Sequence, residues 1–89
     1  MYLIDFTEDA KSEIVFLKKT DILAYKKLVK LLEELQKHPT TGTGKPEKLK
    51  YNYSGLWSRR INQKHRLVYS VDTEKIVVLV ISAIKHYGD

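Results

Sequence analysis

The chain contains no cysteine, so neither a disulfide framework nor a thiolate zinc centre can hold it together. Its longest apolar run, Ile76 to Ile81, is far short of the roughly 20 residues that a membrane span needs. The opening "MYLIDF" lacks the basic stretch and long apolar segment of a signal peptide, so a cytoplasmic location with no membrane partner is expected. There are only two prolines, and both fall in one stretch, "HPTTGTGKPE" (38–47). At 89 residues the chain is too short to divide, and residues 1–89 are expected to form one domain around one apolar core.

Acidic residues are scarce in the middle of the chain. Glu47 is the only carboxylate between Glu34 and Asp72, and the segment from Lys45 to Arg66 holds seven basic residues against that one acid. Residues 1–39 carry seven lysines and seven acids, which cancel, so the whole excess of +5 lies in the second half. Such a surface attracts and steers a phosphate backbone; a solvated face that only aids solubility is the plainer alternative.

What is present is well patterned. "YLIDF" (2–6) predicts a short strand. Thr7 is placed to cap a helix with Glu8 and Asp9 in its first turn and Lys18 and Lys19 in its last, matching the helix dipole. A second helix is predicted from Thr20 or Asp21. Its apolar stripe is Ala24, Leu28, Leu31 and Leu35, and it ends before Pro39. The two-proline, two-glycine stretch that follows reads as an internal loop. From Lys48 onward the pattern is β: "KLKYN", a turn at Ser54–Gly55, "LWSRRIN", a turn at Gln63–Lys64, "RLVYSV", a turn over 72–75, and "IVVLVISAI". The expected fold class is α+β, an N-terminal strand and two helices packed on one face of an antiparallel β-meander.

A meander brings alternate strand ends together. Glu47, Lys50, Arg60, Arg66, His86 and Tyr87 are therefore expected at one end of the sheet, across about 14 Å. The register between the third and fourth strands stays open. A two-residue turn at Gln63–Lys64 sets Arg60 and Arg66 on opposite faces, whereas a three-residue loop (62–64) pairs them on one.

The set lacks the paired carboxylates of a glycosidase and the acid cluster of a metal-dependent nuclease. His38, His65 and His86 have no metal-ligand spacing, and no serine lies in a nucleophile elbow, so no metal or cofactor is called for. Metal-free RNA cleavage fits, because the ribose 2′-hydroxyl is its own nucleophile. Glu47 can accept the 2′-OH proton, His86 can protonate the leaving oxygen, and Arg66, Arg60 and Lys50 can neutralise the crowded phosphate. Each has a plainer reading. Glu47 can be a loop charge paired with Lys45 or Lys50, and His86 an exposed terminal histidine. Trp57 and Tyr69 read as packing residues, Tyr87 as a stacking candidate, and His65 as touching phosphate or fixing Arg66.

The ordered motifs "GKPEKLK", "SGLWSRRI" and "HRLVY", followed by a terminal "HY", resemble the YoeB (Txe) branch of the RelE-like toxins, and the likeness runs from "YLIDF" to Tyr87. The resemblance implies a ribosome-dependent mRNA endonuclease, the toxin of a type II toxin–antitoxin pair, cutting message in the ribosomal A site and halting translation. It implies the general base at Glu47, the general acid at His86, and the terminal aromatic at Tyr87. Phosphate-binding and charge-stabilising residues fall at Lys50, Arg60 and Arg66, and Lys45 and His65 join them as candidates. Its partners would be a YefM-like (Phd/YefM-type) antitoxin, a second copy in a homodimer, and operator DNA only through the antitoxin complex. Departures are the Gly88–Asp89 extension and two tyrosines, Tyr51 and Tyr53, on strand two. A non-catalytic RNA- or ribosome-binding module, and a ParE-type gyrase inhibitor, are the alternatives. The Glu47, Arg66 and His86 set argues against the second.

Overall fold

Thr7 and Asp21 lay down the helical half of the molecule. In a computed structural model, which describes residues 1–42, 44–50, 53–75 and 77–85 (the backbone alone at 81, 82, 84 and 85), Thr7 Oγ1 accepts from Ala10 N at 3.0 Å. Helix α1 (Glu8–Thr20) then runs to its basic last turn. Asp21 serves both helices. Its N–H donates to Leu17 O at 2.8 Å, and its carboxylate accepts from Ala24 N at 3.1 Å to start α2 (Ile22–Lys37). The predicted stripe is the buried one: Ala24, Leu28, Leu31 and Leu35 are all essentially without solvent. Burying each leucine stabilises the fold by about 1.5–3 kcal/mol. Helix α2 stops at Lys37, with His38 N donating to Glu34 O, and the buried Pro39 turns the chain away.

The strands are β1 (Leu3–Phe6), β2 (Glu47–Lys48), β3 (Trp57–Arg60), β4 (Arg66–Asp72) and β5 (Val77–Lys85), in the order β1-β5-β4-β3-β2. The last four form the expected antiparallel meander, and β1 joins it in parallel beside β5, making the sheet mixed. Where β1 ends opposite Val80, Thr7 N donates to Val80 O and the Glu13 carboxylate accepts from Ala83 N at 2.8 Å. Helix α1 thus continues the edge that β1 leaves. Between the pairs Asp72↔Val77 and Arg66↔Lys85, β4 advances six residues and β5 eight, so β5 carries two extra residues at its register shifts and bends there.

One strand differs from expectation. The stretch "KLKYN" is not the second strand: β2 is Glu47–Lys48 alone. Leu49 N donates to Leu56 O at 2.9 Å and Tyr53 N to Lys50 O at 3.1 Å, so the chain already turns at Lys50; Tyr51 and Asn52 lie outside the described residues. Gly55, at φ 92°, completes this broad turn in a conformation open to glycine. The loop between β3 and β4 resolves the open register in favour of Arg60 opposite Arg66. Asn62 Oδ1 accepts from both Lys64 N and His65 N, and Ile61 N donates to His65 O, which closes a wider loop than two residues allow.

Candidate active site

Strand β3 separates two environments residue by residue, because successive side chains point to opposite faces. Trp57 packs against the core on the helix-covered face, with Lys48 of the neighbouring strand reaching over its ring at 5.8 Å. Arg59 points the same way and is fully buried. Its guanidinium donates through Nε to Tyr69 Oη (3.2 Å), through Nη1 to Glu34 Oε1 (3.2 Å), and through Nη2 to the carbonyls of His38 and Thr41. Tyr69 in turn donates its hydroxyl to Pro39 O at 2.6 Å. Burial pushes the Tyr69 phenol above its ordinary pKa, although the Arg59 hydrogen bond and charge pull the other way. Three of these five bonds tie the strands to the loop that leaves α2; the other two join β3 to β4 and to α2 itself.

The opposite, helix-free face carries the candidate chemistry. Ser58 and Arg60 alternate with Arg59, so they point there; Ser58 pairs with Glu47 on one side and Val68 on the other. Glu47, Ser58 and Val68 therefore form one cross-strand row, and Arg60 and Arg66 form the next, in register with Lys85 of β5. Ideal sheet spacings place the Glu47 and Arg60 backbones a diagonal step of about 8 Å apart, and Glu47 and Arg66 about 12 Å apart. Glutamate and arginine side chains are long enough to reach a phosphodiester placed between these positions. Ser58 and Val68 are buried, Arg66 is half-buried, and Glu47 and Arg60 are exposed. Among the described residues none forms an ion pair with Glu47, so its reading as half of a local pair with Lys45 or Lys50 does not hold there.

The approach of Glu47 to β3 depends on Gly44. Arg60 N donates to Gly44 O at 2.7 Å, and a Cβ on Gly44 would stand 2.9 Å from Arg60 O. Only a residue without a side chain lets the loop come this close, and its φ of 83° favours glycine as well. Lys45 follows at φ 51°, a left-handed conformation that costs a lysine about 1–2 kcal/mol. Pro46 then leads into Glu47.

Not every candidate joins this group. Lys50 lies in the turn beyond β2, at the other end of β3 from Arg60 and about 17 Å along the strand direction, so the expected convergence does not extend to it. The reason is the shortness of β2: the chain passes the length of β3 within a few residues. Lys45 is exposed beside the Arg60 end, and His65 is half-buried immediately before Arg66, in the loop closed by Asn62. His86 and Tyr87 lie outside the described residues. Arg59 was not singled out by the sequence reading. The signal was available in "SRR", since two adjacent arginines in one strand cannot both face solvent when one face is covered.

Known proteins share this chain's sequence and architecture. Residues 6–87 match the family described as the YoeB-like toxin of the bacterial type II toxin-antitoxin system. Toxin YoeB of Escherichia coli K12 is 38% identical over 73 residues, covering 82% of this chain and 87% of the relative. A YoeB/ParE toxin from Agrobacterium tumefaciens superposes with a TM-score of 0.89 at 34% identity, covering 96% of this chain and 99% of that one. A YoeB dimer from Staphylococcus aureus gives 0.85 at 38% identity, with 97% and 98% covered. The YoeB–YefM complex of the same organism gives 0.83 at 36%, with 98% and 99% covered.

Proposed function

The chain belongs to the YoeB-like toxin family of bacterial type II toxin–antitoxin systems, and from that premise we propose that it is a ribosome-dependent endoribonuclease that cuts mRNA in the A site. The observation that carries the reading is the adjacency, on the helix-free face, of the row holding Glu47, which has no ion-pair partner among the described residues, and the row of Arg60 and Arg66. Glu47 accepts the proton of a ribose 2′-hydroxyl. The 2′-oxygen attacks the neighbouring phosphorus, and the bond to the 5′-oxygen of the next nucleotide breaks, leaving a 2′,3′-cyclic phosphate. His86 and Tyr87 take their roles from the family resemblance: His86 supplies the proton to that 5′-oxygen, and Tyr87 is the terminal aromatic offered for base stacking. Arg60 and Arg66 hold the phosphate oxygens as charge accumulates on them, a task for which the guanidinium fork is suited. Lys45, Lys50 and His65 extend the cationic surface along the message.

This chemistry takes no metal and no cofactor, because nucleophile and leaving group both belong to the RNA. The ribosome's part is to splay the message so that a single ribose meets Glu47. The toxin acts in the cytoplasm, where translation occurs. By likeness to the S. aureus assemblies, its partners are a YefM-like antitoxin and a second copy of itself; operator DNA is reached only through the antitoxin complex.

The test is in vitro translation with primer extension on the message. Wild type is expected to produce cuts at A-site codons, and Glu47→Ala and His86→Ala to lose them while still co-sedimenting with ribosomes. Ribosome binding without cuts by the wild type would overturn the nuclease reading in favour of a binding module, and gyrase inhibition without ribosome binding would favour a ParE-type action.

A further inference from the structure

The loop that leaves α2 is held at His38, Thr41 and Gly44 by one buried side chain and its chain neighbour. Arg59 Nη2 takes the carbonyls of His38 and Thr41, while Nη1 and Glu34 Oε1 lie under Gly42, where a Cβ would stand 2.5 Å from that oxygen. The next residue, Arg60, gives its N–H to Gly44 O. The Nε of Arg59 is fixed by Tyr69, whose hydroxyl is bonded to Pro39 O, so the clamp cannot slide along the loop. Immediately beyond the last anchor come the left-handed Lys45, Pro46 and Glu47. Strand β2 itself is two residues long and contributes little pairing of its own.

From this connectivity we propose that Arg59 is a positioning residue for Glu47: it fixes the entry of β2 and so sets where the Glu47 carboxylate stands against the Arg60–Arg66 row. The proposal rests on the nuclease reading for its catalytic consequence, though not for its structural one. Arg59 touches no substrate, since it is sealed beneath the sheet. Its effect reaches the open face through the main chain of Gly44 and Arg60. A lysine at position 59 keeps the charge but has a single nitrogen, which cannot span four acceptors on three segments. The loop then gains freedom, and Glu47 samples positions from which the 2′-hydroxyl proton is out of reach. Substrate binding, carried by Arg60, Arg66 and the other cations, is left in place.

The experiment uses the full chain with Arg59→Lys and, as a variant acting at the far end of the same link and independent of core folding, Gly44→Ala. Three quantities are read: the single-turnover rate of cleavage on programmed ribosomes, the hydrogen exchange of the Arg60 amide, and the 13C shift of the Glu47 carboxyl by NMR. Both variants are expected to lower the cleavage rate about 100-fold, the scale of an ångström of misplacement. Half-saturation of ribosomes should stay within about threefold, the signature of a lost transition-state interaction. Arg60 amide exchange should quicken and the Glu47 signal move. Wild-type exchange and an unmoved Glu47 signal in the folded variants would overturn the proposal, as would a weakened half-saturation with an unchanged rate. If the wild type leaves the message uncut, the nuclease reading falls, and the two NMR signals alone decide whether Arg59 sets the place of Glu47.

Discussion

Arg59 and Arg60 are neighbours in β3, yet one is sealed under the helices with each guanidinium nitrogen hydrogen-bonded and the other stands in solvent facing Arg66. The two faces of the sheet differ in the same way. On the covered face, buried polar side chains among the described residues all have partners: Arg59, Tyr69, Glu34 and three main-chain carbonyls form one network around the end of α2. On the open face, two arginines share a row and a carboxylate stands beside them without a described ion-pair partner. Like charges placed side by side weaken a fold, and solvent screening makes that cost small here. The lesson is that charge is matched by partners beneath the sheet and left clustered above it, an arrangement that the proposed binding of a polyanion would explain.

Substitutions separate the two faces by what they damage. The largest effect is expected from Glu47→Gln, with cleavage reduced about 1000-fold, the order supplied by a general base, and urea stability unchanged within about 0.5 kcal/mol. Primer extension on programmed ribosomes and urea unfolding would check the two halves. Next comes the pair Arg59→Met and Arg60→Met. The first removes the guanidinium that Glu34, Tyr69 and two carbonyls bond to and should cost about 3 kcal/mol. A melting midpoint lower by about 12–24 °C follows for a chain of this size. The second should leave the midpoint in place and weaken cleavage alone. Equal losses of stability in both would break the comparison.

Smaller effects sharpen it. Asp21→Ala removes the α2 cap far from either arginine and should cost about 1 kcal/mol in thermal unfolding, with cleavage at 25 °C unaffected. The least is a pH effect. The folded Tyr69 phenol holds its proton above the ordinary value near 10, so an unfolded chain releases that proton first. Stability should therefore be intact below that value and decline as pH rises toward the folded one. Urea unfolding at about pH 9 and 11 would show it, and Tyr69→Phe should flatten the slope while lowering stability at both.

Much of this was legible before the fold was known. Thr7 as a cap, the acids and lysines at opposite ends of α1, and the stripe of Ala24, Leu28, Leu31 and Leu35 are read within one or two helical turns, and all are found as expected. The Arg60–Arg66 pairing was one of two registers, and loop length alone could not choose between them. The side-chain oxygen of Asn62, folded back onto two amides, favours the wider loop. Lys50 was misplaced because apolar and basic alternation in "KLKYN" looks like a strand, whereas a main-chain turn at Lys50 cuts β2 to two residues. The parallel docking of β1 on β5 also had no local signal, since the partners are about seventy residues apart in sequence.

The sequence by itself determined the helices, their ends and their buried stripe, the β content of the second half, and the concentration of positive charge between Lys45 and Arg66. These depend on spacing, capping and composition, which are properties of neighbours in the chain. The tertiary structure decided which of two adjacent arginines is buried, how Gly44 brings Glu47 beside the arginine row, and that β1 closes the sheet in parallel. Those outcomes depend on which backbone groups find each other across the chain and on where a guanidinium can leave water with each of its nitrogens hydrogen-bonded. A linear pattern records the residues that can do this; only the packed sheet assigns each one its side.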